Sequence, residues 1–248
     1  VFFDLDGTLL NKDSRIDLDV ANATKQLQNN GYLPVVNTGR SIIEIDAVTS
    51  TTDIDTFVTL NGSYVESNGE AIFESTIKPG LLDELSIHAK AFGDPLSFHS
   101  AHSTRLNLVN KFTKRFYESV KIQLPEVDPK FYRKEKIPMV VIITASGSDK
   151  YQDVMKDLTF YKTGPFSIDA VNNNISKMTG IKQLLSSLNM EDKPVYAFGD
   201  GDNDFPMIEF ADYGIAMGNA NDSIKGISSY VTTSNSKNGI VNGLKHYG

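Results

Sequence analysis

Apolar and polar positions along the chain fall into two rhythms. Val1 to Leu5 reads as an apolar run interrupted by one acid, the pattern of a strand buried on both faces. Asp17 to Asn30 places Val20, Ala23 and Leu27 on one face and stops at Gly31, which predicts an amphipathic helix. Leu33 to Val36 predicts a second strand, ending in NTGR. A helical stretch follows from Ser41, then a strand from Thr56 to Leu60. In SYVESNGEAIFES, Asn68-Gly69 sits between two alternating arms and predicts a hairpin.

From about Lys78 to Gly164 the rhythm changes. A helix over Leu81 to Ala91 is followed by strand-like PLSFHS and RLNLV and a helix over Asn110 to Val120. The apolar strand PMVVIITAS, a helix over DKYQDVMKDL and a strand over TFYKT complete the segment. Beyond it, FSIDAV, the helix SKMTGIKQLLSSLNM, the strand VYAFGD, a helix from Asn203, the strands YGIAMG and SYVTT and a closing helix over NGIVNGLKHYG resume the first rhythm. Strands alternating with helices through short connections indicate a parallel sheet covered on both faces. The expectation is an α/β protein: a doubly wound, Rossmann-like core over residues 1–78 and 165–248, interrupted by an inserted α+β cap over 79–164.

Composition narrows the function classes. A length of 248 residues suits one large or two modest domains. The formal charge of -7 argues against a general nucleic-acid binder. With no cysteine, neither a disulfide framework nor a thiolate metal site is possible. No apolar stretch is long enough to span a bilayer and no signal-peptide pattern is found, so a cytoplasmic protein, monomer or homodimer, is expected.

In open α/β sheets ligands bind outside the carboxyl ends of the strands. Polar residues collect there: Asp4 and Asp6 after the first strand, Thr38 after the second, Asp200, Asn203 and Asp204 after VYAFG, and Lys177 near a helix start. A cluster of carboxylates without His or Cys suits Mg²⁺, which is held by carboxylates together with substrate phosphate. Asp4 can then serve as metal ligand and as nucleophile toward a phosphoryl group. Asp6 is placed to protonate the leaving oxygen and later to activate water. Lys177, Thr38 and the amides around Gly7 and Gly39 would hold phosphate oxygens.

DLDGTL, NTGR, the lysine of ISKMTGI and GDGDND, in this order, resemble the four motifs of the haloacid dehalogenase (HAD) superfamily. The resemblance implies Asp4 as nucleophile, Asp6 as general acid/base with its main-chain carbonyl on Mg²⁺, Thr38 as phosphate ligand and Lys177 as the neutralising cation. It further implies that Asp200 binds the metal and that Asn203 and Asp204 support phosphate and metal. Met178 stands where related sequences often carry Gly.

Between Gly7 and Thr38 there is room for little besides one helix, and the bulk of the extra chain lies between Thr38 and Lys177. That arrangement is similar to the Cof-type (IIB), sugar-phosphatase-like branch, as are LNGSYV and AMGNANDSIKGIS. The implied activity is a Mg²⁺-dependent phosphatase of small phosphorylated metabolites, sugar phosphates or phosphorylated cofactors, acting through an aspartyl-phosphate. A phosphomutase of the same fold and a non-catalytic metabolite-binding protein are the rivals. Asp6, where aspartyl-phosphate ATPases usually carry Thr, favours a phosphatase or mutase. Arg40 beside the phosphate site, and His99, His102 and Arg105 in HSAHSTR, are the candidate substrate contacts. Lys111, Lys114 and Arg115 form a basic helical face able to attract an anion.

Overall fold

A computed structural model describes the backbone of residues 1–248 and all side chains except those of residues 46–48. Chain contacts divide it into two units, Val1–Phe73 with Ser176–Gly248, and Glu74–Ile175.

The first unit is built on an eight-stranded sheet. Its strands are β1 (Phe2–Phe3), β2 (Val35–Asn37), β3 (Thr56–Thr59), β4 (Tyr64–Ser67) and β5 (Glu70–Glu74) from the first stretch of chain. The second stretch contributes β11 (Tyr196–Gly199), β12 (Tyr213–Ala216) and β13 (Tyr230–Val231). The order is β13-β12-β11-β1-β2-β3-β4-β5, parallel from β13 to β3 and antiparallel at β3–β4. The predicted hairpin joins β4 to β5, with Asn68 and Gly69 at φ of 52° and 77°, the left-handed pair that a tight two-residue turn needs. The helices are α1 (Leu18–Asn29), α2 (Ile42–Thr49), α6 (Lys177–Ser187), α7 (Phe205–Phe210), α8 (Asp222–Ile227) and α9 (Gly239–His246). Two apolar layers result. One packs Phe2, Val35, Val58, Ile181 and Leu184 together, the other Phe3, Val36, Val20, Phe198 and Ile240. Phe2 and Phe3 enter opposite layers because successive strand residues face opposite ways.

The second unit carries a five-stranded sheet, order β7-β6-β8-β10-β9. Its strands are β6 (Leu96–His99), β7 (Thr104–Leu106), β8 (Met139–Ile143), β9 (Leu158–Gly164) and β10 (Ser167–Asn172), with helices α3 (Pro79–Phe92), α4 (Lys111–Ser119) and α5 (Asp149–Gln152). Every pairing in it is antiparallel. One face packs Leu96, Phe98, Val140, Ile142, Ile168 and Ala170 against Leu82, Leu85 and Tyr151. Asn110 caps α4 by accepting from the Phe112 and Thr113 amides.

Three expectations are corrected. FSIDAV, read as the strand at which the core resumes at residue 165, is β10 of the second sheet, paired with β8 and β9, and the division falls at Ile175/Ser176. A strand flanked on both sides inside an inserted sheet is as continuously apolar as one in a parallel core, so its composition could not place it. On the other side the division falls at Phe73/Glu74, a few residues before the expected 78. The helix expected over DKYQDVMKDL closes after Gln152, where Tyr151 and Met155 are buried and Val154 is exposed. Helix α8, within AMGNANDSIKGIS, has no counterpart among the predicted helices. Among the described residues no helix is long and apolar enough to cross a membrane.

Candidate active site

Strand register sets the geometry. Phe3 pairs with Val36 on one side and Phe198 on the other, so the residues just beyond β1, β2 and β11 arrive at the same sheet edge. Asp4 is tied there by its amide, which donates to the Phe198 carbonyl at 3.0 Å. Ser176 caps α6 by accepting from the Thr179 amide, which puts Lys177 in the first helical turn. Side chains lean toward a helix N-terminus, so Lys177 reaches back to the strand ends.

The centre is a buried charge cluster. The Lys177 ammonium lies 2.5 Å from Asp4 Oδ1 and 2.6 Å from Asp204 Oδ1, and Asp4, Lys177 and Asp204 are 6%, 0% and 0% exposed. Asp204 Oδ2 accepts from the amides of Asp200 and Gly201, at 2.8 and 2.9 Å. Both Asp204 oxygens are therefore engaged in holding Lys177 and the turn after β11. Burial pushes the Asp4 carboxyl up; Lys177 opposes this, while Asp204, Asp200 and Asp6 add to it. Burial works against charge on Lys177, yet Asp204 and Asp4 prevail and hold its ammonium above the usual lysine range. Asp200 is pushed up to about 6, by burial and then by Asp204.

Around this cluster the loop from Leu5 to Leu9 is closed by Leu9 and Leu10 amides donating to the Asp4 and Leu5 carbonyls. Gly7 turns the loop at φ 83°, and a Cβ there would lie 2.3 Å from Asp200 Oδ2. Both the backbone angle and the carboxylate exclude a side chain. Asp6 points away from the buried cluster: Arg40 grips it with two bonds, Nε to Oδ2 at 2.7 Å and Nη2 to Oδ1 at 2.5 Å. The Asp6 side chain is 58% exposed and that of Arg40 16%. Burial disfavours charge on the Arg40 guanidinium, and the bonds to Asp6 raise its pKa in spite of it. Thr38 is buried and accepts from the Arg40 amide at 3.1 Å, so its hydroxyl proton stays available to an anion. Gly39 lies half-buried in the same loop. Asn203 donates to Asn61 Oδ1 at 3.0 Å.

Asp4, Asp6, Thr38, Gly39, Arg40, Lys177, Asp200, Asn203 and Asp204 all belong to the first unit. His99, His102 and Arg105 belong to the second. His99 is 3% exposed, with Nε2 3.1 Å from Ser97 Oγ and Nδ1 3.3 Å from Thr104 Oγ1. Arg105 donates to the Thr104 carbonyl, pairs with Glu126 at 3.4 Å and lies over the Phe131 ring. His102 is exposed. Of the basic helical face, Arg115 stacks on Phe166 and Lys111 on its neighbour Phe112.

Sequence reading passed over three polar residues. Thr8 donates to Asp200 Oδ1 at 3.0 Å and Asn219 to Asp200 Oδ2 at 3.2 Å. Asn37 is fully buried at the end of β2 and donates to the Lys177 carbonyl at 3.3 Å. Thr8 stands inside DLDGTL and Asn219 inside AMGNANDSIKGIS, so both lie in segments that the sequence marks, but nothing local tells that either side chain reaches Asp200.

One carboxylate oxygen from each of Asp4, Asp200 and Asp204 lies within 4.8 Å of the others. The donors are hard oxygens, three acids face a single ammonium, and Asp4 Oδ2 makes no hydrogen bond to a described residue. This donor set fits a divalent cation of the Mg²⁺ kind, whose charge would relieve the carboxylates that burial has pushed up.

A sequence profile of the haloacid dehalogenase-like hydrolases matches residues 1–244. The 5-amino-6-(5-phospho-D-ribitylamino)uracil phosphatase YwtE of Bacillus subtilis (strain 168) is 26% identical over 97% of this chain and 94% of its own. A crystal structure of a protein from Geobacillus kaustophilus HTA426 superposes with a TM-score of 0.89 at 31% identity, covering 99% of this chain and 97% of the other. The HAD subclass IIB sugar phosphatase BT4131 has the same fold, with a TM-score of 0.88 at 24% identity over 99% of this chain and 97% of its own. The strand-end acids, the buried lysine and the fold around them thus have one common account: the chain belongs to the haloacid dehalogenase-like hydrolase family, on its Cof-type phosphatase branch.

Proposed function

We propose that this phosphatase is a Mg²⁺-dependent phosphomonoesterase of small phosphorylated metabolites, sugar phosphates or phosphorylated cofactors, working through an aspartyl-phosphate on Asp4. The observation that carries the reading is the Lys177 ammonium, fully buried between Asp4 and Asp204 with Asp4 Oδ2 left open. A lysine so placed orients the nucleophile through one oxygen and leaves the other to attack.

In the proposed reaction Asp4 Oδ2 forms a bond to phosphorus as the bond to the leaving oxygen breaks, and Asp6 gives that oxygen its proton. Asp6 then takes a proton from a water that attacks the phosphorus, releasing phosphate and restoring Asp4. Lys177, Thr38, Asn203 and the Gly39 amide hold phosphate oxygens as charge develops on them. Arg40 holds Asp6 by both oxygens in the resting enzyme, so in the proposed reaction Asp6 leaves Arg40 and takes up a solvent proton before it serves as the acid. Asp4, Asp6 through its main-chain carbonyl, Asp200 and Asp204 would hold Mg²⁺, which supplies neutralisation of the nucleophile and of the transferring phosphoryl group.

The substrate class rests on the relatives, one named for a phosphorylated ribitylaminouracil and one for sugar phosphates. We read the 74–175 unit as the cap that selects among substrates, with His102 and Arg105 as its candidate contacts; His99, expected beside them, is buried between Ser97 and Thr104 and is not one of them. The test is phosphate release from a panel of phosphorylated sugars, nucleotides, FMN and pyridoxal phosphate, with Mg²⁺ and with EDTA. Mg²⁺-dependent release from a few members is expected, and Asp4→Asn should abolish it with the fold intact. Wild-type turnover by Asp4→Asn would falsify the aspartyl-phosphate.

A further inference from the structure

Asp200 is held by two neutral groups, one on each oxygen. Thr8 donates to Oδ1 at 3.0 Å and Asn219 to Oδ2 at 3.2 Å. The same Asn219 amide nitrogen donates its second hydrogen to the Gly7 carbonyl at 2.9 Å, and Asn219 Oδ1 accepts from the Asn235 amide at 3.0 Å. The side chain has two donors and one acceptor, and each is in use. Turned the other way, its oxygen would face a carbonyl and a carboxylate, so the network itself fixes the orientation. The backbone beneath is fixed too. The Met217 amide donates to the Gly199 carbonyl at 3.0 Å, Gly218 to Thr233 at 3.0 Å, and Asn221 to the Asp200 carbonyl at 3.3 Å.

We infer that Asn219 is a positioning residue for the metal site: it aims the Asp200 carboxylate and pins the Gly7 turn against it. The inference rests on the Mg²⁺ reading above. An amide suits the task where a lysine would not. A cation on Asp200 would repel a divalent ion and compete for the same lone pairs, whereas a neutral donor orients the carboxylate and leaves its charge for the metal. Groups of this kind typically contribute about 10- to 100-fold in metal affinity. Asn221, two residues on, makes the contrasting contacts: its side chain donates to Asp202 at 2.6 Å and caps α8 through the Ile224 amide. That side chain supports the same loop without touching the Asp200 carboxylate.

The test is direct titration with Mn²⁺, free ion being read by electron paramagnetic resonance, in wild type, Asn219→Ala and Asn221→Ala. The expected result is about tenfold weaker Mn²⁺ binding by Asn219→Ala, wild-type binding by Asn221→Ala, and turnover by Asn219→Ala recovering at high Mn²⁺. Wild-type binding with Asn219→Ala within about twofold of it overturns this inference alone. No Mn²⁺ binding by wild type overturns the metal reading and this inference with it. Should Asn219→Ala fold poorly, the wild-type protein carries the test. Mg²⁺ must then shift the Asn219 side-chain amide resonances, and resonances that stay in place overturn the assignment.

Discussion

Each unit contains a lysine set against a buried aspartate, and the two arrangements differ in their charge balance. In the second unit Lys150 lies 2.6 Å from Asp94 Oδ2, and the Tyr151 hydroxyl donates to the same oxygen at 2.7 Å. One acid meets one cation and one neutral donor, and the Lys150 ammonium lies over the Phe92 and Tyr151 rings. Burial and Asp94 push the Tyr151 phenol up, so it stays protonated and donating. In the first unit a fully buried Lys177 serves Asp4 and Asp204, with Asp200 beside them. There the acids outnumber the cation. A balanced pair is complete in itself and holds a fold together, whereas an unbalanced one calls for a cation or a proton from outside. That imbalance separates a site from a structural pair better than burial does.

The comparison can be broken most forcefully at Lys177. Lys177→Met leaves Asp4 and Asp204 buried without their cation, so the metal-free protein should lose about 3–5 kcal/mol, read by urea unfolding, together with its turnover. Combining it with Asp4→Asn should recover part of that loss, because the two groups interact directly. A strictly additive double variant would show the two to be uncoupled.

Acidity sharpens the contrast next. Asp200 in the folded, metal-free protein is pushed up to about 6, above the ordinary value of 3.8. An acid raised on folding gives stability that is full below its unfolded pKa and lost as pH rises through its folded one. Stability of the metal-free protein attributable to Asp200 should fall between about pH 4 and pH 6, by at most about 1.4 kcal/mol per pH unit before solvent screening. The check is urea midpoints across this range for wild type and Asp200→Asn, with and without Mg²⁺. A slope as steep in Asp200→Asn as in wild type would assign it to other groups.

The smallest effect belongs to the balanced pair. The Lys150 side chain is 25% exposed, so Lys150→Met should cost about 1 kcal/mol in the same unfolding experiment, with turnover unchanged. A loss of turnover there without a loss of stability would contradict its structural role.

Much of this was readable along the chain, because some signals are local. The Asn68-Gly69 turn was visible because few dipeptides accept two left-handed residues in succession. Asp4 and Asp6 stood out because acids directly after an apolar run are costly unless something uses them. NTGR and GDGDND marked the ends of strands whose runs were clear. His99 is the opposite case: read as a candidate substrate contact, it is buried with each ring nitrogen beside a hydroxyl, a setting that its neighbours in sequence do not announce. The side-chain partner of Asp6 was equally hidden, since Arg40 lies 34 positions away.

By itself, then, the order of residues determined most of the elements, α8 excepted, that strands and helices alternate around an insertion, and which side chains wait at the strand ends. These follow from periodicity and turn chemistry, which act over a few residues. Tertiary structure alone decided that β10 lies inside the inserted sheet, between β8 and β9. It also decided that Lys177 is shared by two acids and that Asp200 is gripped from 192 positions away by Thr8 and 19 positions away by Asn219. Hydrogen bonds and charge pairs require distances of a few ångströms, and only the folding of distant segments onto one sheet edge brings those atoms together.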